Sequence, residues 1–178
     1  MKKLIVVDPG HGGDDNGAVW GYTEEDDVNL IISFLLQCEL EKQGHEVLLT
    51  RHTDRRVSLQ ERVDLANSKL ADLFISIHCD AFHDVTVKGI STHVYLGCNQ
   101  ISYLTAESIQ EALMMRFPGH VDRGVKLSNF HVLRNTIMPA VLVECEFLSN
   151  PETRRFLKEP GNQRGIARAI AAGVGGAG

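Results

Sequence analysis

Leu73-Phe-Ile-Ser-Ile-His78 is the stretch that decides the architecture. It is short, largely apolar without polar alternation, and ends on a histidine. Such a run reads as a strand buried on both faces, the pattern of a parallel sheet covered by helices. Two further runs repeat it: Leu4 to Val7 stops at Asp8, and Ala140 to Val143 stops at Glu144. These three are expected to be the central strands.

Between them the period changes from that of strands to that of helices. From about Asp27 to Gln43, apolar residues at Leu30, Ile31, Phe34, Leu35, Cys38 and Leu40 follow helical spacing, and Gly44 is placed to end the helix. Glu46 to Thr50 reads as a strand. Ser58 with Glu61 forms an S-x-x-E capping box that opens a second helix reaching about Lys69. Further along, Gly89 to Leu96 reads as a strand, Ile101 to Phe117 as a helix, and Phe130 to Leu133 as a short strand. The last helices are expected near Glu152 to Leu157 and Arg164 to Ala172. The resulting expectation is a single α/β domain, a twisted, mostly parallel or mixed sheet of about six strands with helices on both faces. Residues 1–172 would form the domain, and the small residues of 173–178 would be a flexible tail or the start of a linker.

The chain has 178 residues, 43% apolar and 23% charged, which suits one folded domain. Its net charge of −5 lies within residues 1–30, where two lysines stand against seven carboxylates. With no basic excess to release counterions, nucleic acid is not an expected partner. The longest apolar runs fall far short of the roughly 20 residues that span a bilayer, so no membrane partner is expected either. Cys38, Cys79, Cys98 and Cys145 are irregularly spaced without C-x-x-C and read as free thiols.

Ligands of open α/β sheets collect at the carboxyl ends of the strands. There the sequence offers Asp8 with His11, then His78, then Glu144. Two imidazoles and carboxylates on one rim suit a divalent metal with a position left for water. A further anionic ligand is available from Glu24, Glu25, Asp26 and Asp27, which follow a glycine-rich loop from Gly10 to Gly21. A two-His, one-carboxylate set also suits a non-haem iron oxygenase.

At this point the chain resembles the zinc-dependent N-acetylmuramoyl-L-alanine amidases of the amidase-3 type. The resemblance is carried by Asp8-Pro-Gly-His-Gly-Gly13, Glu25-Asp-Asp-Val-Asn-Leu30, Thr50-Arg51 with Asp54, and Ser58-Leu59 through Arg62, Ala66 and Asn67. It continues through Ser76-Ile-His78 and Pro139-Ala-Val-Leu-Val-Glu144 to Phe147-Leu-Ser-Asn150, in the family's order. The resemblance implies one zinc per chain on His11, Glu25 and His78, with Glu144 as the catalytic carboxylate. It also implies cleavage of the amide between the lactyl group of N-acetylmuramic acid and L-alanine of peptidoglycan, as by a phage or prophage endolysin or a bacterial autolysin. A catalytically inactive wall-binding or regulatory module of the same fold is the alternative from another class.

Three departures from the family pattern lie near the site: Asp26, Asp80 and Glu146. Glu146, two residues beyond Glu144, becomes a rival for the catalytic role because such residues share a strand face. Arg134 is a candidate substrate contact by resemblance. Asp8 is expected either to orient a ligand histidine from behind or to cap the glycine loop. No export signal is visible ahead of the first strand, so the chain is expected to be a monomer made in the cytoplasm that reaches the wall after release or lysis.

Overall fold

The computed structural model describes residues 2–176. The chain runs β1 (Leu4–Pro9), β2 (Val19–Trp20), β3 (Thr23–Glu24), α1 (Glu25–Lys42), β4 (Glu46–Leu49), α2 (Leu59–Ser68), β5 (Leu73–Asp80) and β6 (Ile90–Tyr95). It continues with α3 (Gln100–Arg116), β7 (Asp122–Ser128), α4 (His131–Asn135), β8 (Ala140–Phe147), α5 (Pro151–Lys158) and α6 (Pro160–Gly176). Six strands form one sheet in the order β4-β1-β5-β8-β6-β7, and β2 with β3 makes a separate hairpin. All neighbours in the large sheet are parallel except β6 and β8. The three runs that end in Asp8, His78 and Glu144 are its centre.

Alternate residues of these strands enter two cores. Ile5, Val7, Ile75, Ile77, Val141 and Val143 pack under α1, α3 and α6 in the larger one. Val6, Phe74, Ala140 and Leu142 face α2 and α4 in the smaller one. Asp8, Ser76, His78 and Glu144 continue the second set by the two-residue strand period, so the polar ends emerge on the thinly covered face. Short α2 and α4 leave that end of the sheet open.

Several local expectations are met by specific contacts. The Ser58 hydroxyl accepts from the Glu61 amide while the Glu61 carboxylate accepts from the Ser58 amide, which completes the capping box. The Asn67 side-chain amide ties α2 to the segment after α4 through the Asn135 carbonyl and the Ile137 amide, each at 3.0 Å. All four cysteines are free. Among the described residues no helix is long and apolar enough to cross a membrane.

Two expectations are corrected. The predicted strand at Phe130–Leu133 is instead the start of α4. Its backbone closes with the Arg134 amide on the Phe130 carbonyl, and Val132 and Leu133 fill the smaller core. A four-residue run with three apolar side chains satisfies either period, and packing decides between them. The predicted flexible tail from Gly173 is, as far as Gly176, the end of α6. Here α6 lies so close to α3 that a Cβ on Gly173 would stand 2.5 Å from the Ile109 Cα, and Val174 is buried. The small residues are therefore a helix-packing face. Ala177 and Gly178 lie outside the described residues.

Candidate metal centre

β1 ends in the turn Pro9-Gly10-His11, whose carbonyls would be orphaned by the sharp exit from the sheet. Two buried arginines satisfy them. Arg51 donates to the Pro9 carbonyl at 3.1 Å, to Gly10 at 2.9 Å and to Asp26 at 2.7 Å. Arg62 donates to the Pro9 carbonyl at 2.6 Å and to His11 at 2.7 Å. The Arg62 guanidinium also pairs with the Asp8 carboxylate at 2.6 Å, and Asp8 accepts from Thr50 and Ser76 hydroxyls at 2.6 and 2.7 Å. Burial would raise the Asp8 pKa, but Arg62 and the two hydroxyls outweigh it and hold the carboxyl below its usual range.

Asp8 is thus corrected as a direct orienter of a ligand histidine. Its oxygens are taken by Arg62, Thr50 and Ser76, and it acts on the His11 turn through Arg62.

The turn places His11 against the first residue of α1. Glu25 is buried and is the one residue of the acidic run aimed at both histidines: His11 Nε2 is 3.3 Å from Oε2 and His78 Nδ1 is 2.9 Å from Oε1. The Glu25 carboxylate also accepts from the amides of Ala18 and Cys79 and from the Asn29 side chain. Of its neighbours, Glu24 is the N-cap residue, Asp27 is exposed, and Asp26 turns to a buried position where one carboxylate oxygen has no partner. Burial lifts Asp26 to about 6.

Donor atoms of His11, Glu25 and His78 lie within 4.8 Å of one another. Burial opposes charge on His11, but Glu25 and Asp15 overcome it and raise the imidazole to about 9, while the two histidines hold Glu25 far below its normal value despite burial. A Cβ on Gly10 would overlap the His78 ring, and one on Gly17 would meet the Glu25 carboxylate and the His11 ring. The cradle therefore demands glycine at both places. Two imidazoles and one carboxylate in such a cradle fit a divalent metal with an open position.

Glu144 stands directly across the sheet from His78, its register partner in β8. It is partly covered as a residue, yet its Oε2 is fully buried and has no hydrogen-bond partner among the described residues. Burial, with Glu25 and Asp80 nearby, raises its pKa well above the carboxylate norm against the pull of Lys126. A cleft of about 540 Å³ opens over Asp8, His11, His78 and Glu144, with Phe130, His131 and Val57 in its walls.

The rival Glu146 is directed elsewhere. The β5–β8 register passes from His78↔Glu144 to Asp80↔Phe147, so β8 carries an extra residue in a bulge. Glu146 accepts from the Gly89 and Phe147 amides at 2.7 and 3.0 Å and pairs with His120 at 2.7 Å. Arg134 donates to Asn129 at 2.7 Å and lines a separate hollow of about 260 Å³ beside Ser102 and Met138. Nothing in the sequence marks Lys126 or His93 as neighbours of the site, since the polar β7 has no strand period, and the only signal for the loop-holding role of Arg51 is its place in a motif.

The family model for N-acetylmuramoyl-L-alanine amidase (Amidase_3) matches residues 5–175. The chain is 39% identical over 177 residues to the N-acetylmuramoyl-L-alanine amidase LytC of Bacillus subtilis (strain 168), covering 98% of this chain and 35% of that protein. It is 35% identical over 179 residues to the endolysin of Bacillus phage SPP1, covering 98% of this chain and 65% of that one. The chain thus spans about a third of LytC and about two thirds of the endolysin. Its fold is similar to the CwlD amidase of Clostridioides difficile, solved in complex with the GerS lipoprotein, with a TM-score of 0.94, 31% identity, and coverage of 99% of this chain and 98% of that one. Since likeness in sequence and in fold extends through the strands and turns that carry the cluster, the chain belongs to the Amidase_3 family of N-acetylmuramoyl-L-alanine amidases.

Proposed function

We propose that this chain is a zinc hydrolase that cuts the amide between the lactyl group of N-acetylmuramic acid and L-alanine in peptidoglycan. The observation that carries this reading is the Glu144 carboxylate, whose Oε2 is buried and unpartnered, on the strand beside the ligand-type residue His78. His11, Glu25 and His78 would hold one zinc per chain, and the bound ion would polarise the scissile carbonyl and acidify water.

The chain's own residues account for the rest. Arg51 and Arg62 fix the His11 turn, and Ala18, Asn29 and Cys79 fix the Glu25 carboxylate, so the ligands are held before substrate arrives. Glu144 ionises more readily beside a dication, accepts the proton of the attacking water, and returns it to the alanine nitrogen as the carbon–nitrogen bond breaks. The products are a lactyl carboxylic acid and a free alanine amine. The cleft over Glu144 would seat the sugar and its lactyl arm.

The acidic segment around His11 and Glu25 gives no long-range attraction to an anionic wall, so targeting is inferred to come from a separate wall-binding module. Glu144→Gln tests the reading: it should keep its zinc, measured by elemental analysis, and lose stem-peptide release. Full activity in that variant would refute the role given to Glu144.

A further inference from the structure

β7 carries the most unusual charge near the site. The β6–β7 register sets Lys126 beside His93, and the β6–β8 register sets His93 beside Leu142 and Ser91 beside Glu144. By strand alternation Lys126 therefore lies on the same face of the sheet as Glu144, two strands away and level with Leu142, or roughly 12 Å from backbone to backbone. It is half-buried, yet among the described residues it enters no ion pair within 4.0 Å. Arg123, on the same strand, lays its guanidinium over the Phe147 ring at 5.0 Å. The β6–β7 register, which passes from Ile90↔Asp122 to Thr92↔Val125, sets Arg123 near the level of Ser91 and so of Glu144.

A lysine partly withdrawn from water without a paired anion is costly unless something else supplies one. On the opposite rim of the cleft the cations are already engaged, Arg56 by Asp14 and Arg62 by Asp8, whereas Lys126 on the β7 side has no such partner among the described residues. We propose that Lys126 is a subsite for a substrate carboxylate, the free α-carboxylate of the γ-linked D-glutamyl residue that follows L-alanine in the stem peptide. This rests on the amidase reading. An extended chain advances about 3.3–3.6 Å per residue, so a group one residue beyond the alanine comes within reach of a lysine ammonium at that distance. The stem would then run towards β7 and the glycan would lie in the cleft under α2 and α4. Lys126 is a binding residue here, and Arg123 strengthens the field around it.

The test compares two substrates on the zinc-loaded chain: N-acetylmuramoyl-L-alanyl-D-glutamate and its α-amide, the isoglutamine form. The acid should be favoured in kcat/KM by about tenfold, the scale of one charge-assisted contact. Lys126→Met should bring the two within about twofold, and Lys126→Arg should restore the preference. A lysine that merely offset Asp80 and Glu144 would change both substrates alike, leaving their ratio intact, and that outcome overturns the proposal. A preference arising only when a third, diacidic residue is added overturns it too. Calorimetric binding of the two product dipeptides reads the same preference without turnover. If neither substrate is cut, the amidase reading fails on its own; equal cutting and equal product binding refute only the subsite.

Discussion

His78 and Glu144 are register partners on adjacent parallel strands, one inside the cluster of metal-type donors and the other just outside it. Strand spacing of about 4.8 Å keeps the carboxylate near the ligand histidine without adding it to the cluster. Separating the two roles by one strand gives the first prediction. Glu144→Ala should retain about one metal per chain and lose 10²–10⁴-fold in kcat, whereas His78→Ala should lose metal as well. Elemental analysis beside a turnover assay distinguishes the two.

Asp8 is a structural anchor rather than a ligand partner. Asp8→Ala would leave Arg62 buried without its carboxylate and remove the acceptor of Thr50 and Ser76. A loss of about 3–5 kcal/mol is expected, the scale of breaking a buried pair from one side. Urea unfolding of the metal-free protein measures it, and a change below about 1 kcal/mol would mean the turn is held by Arg51 alone.

The sheet centre was legible because burial on both faces leaves a direct trace, the uninterrupted apolar runs before Asp8, His78 and Glu144. The Ser58–Glu61 box was legible because capping is local. What failed was either non-local or weakly patterned. β7 is an edge strand with one partner and the polar sequence Asp-Arg-Gly-Val-Lys-Leu-Ser, so nothing in its period marks it. The bulge that turns Glu146 to Gly89 and His120 depends on strand register, which periodicity does not encode. Asp8 meets Thr50 and Ser76 only through the parallel pairing of β1 with its neighbours, and Arg62 only through the packing of α2 on that face.

His93 predicts a pH dependence. Its ring lies between the Ser91 and Ser128 hydroxyls at 3.1 and 2.7 Å, and burial, with Lys126 and His78 nearby, lowers it to about 4. The unfolded chain therefore binds the proton first, near 6.5, so the contribution of neutral His93 is complete above that pH and lost as pH falls towards 4. Between pH 6.5 and 5 the wild type should lose about 2 kcal/mol more than His93→Gln. Parallel denaturation curves would contradict this.

Gly173 tests the close approach of α3 and α6. Gly173→Val places a side chain against the Ile109 backbone and should cost about 1–3 kcal/mol, read as a lowered urea midpoint. A linker residue would tolerate the change.

The central claim is tested most directly by identifying the bond that is cut. Purified peptidoglycan is digested with the zinc-loaded chain and analysed by mass spectrometry with labelling of new amines and reducing ends. Free N-terminal alanine is expected on released stem peptides, abolished by chelation and restored by zinc. New reducing sugar ends without freed alanine would contradict it.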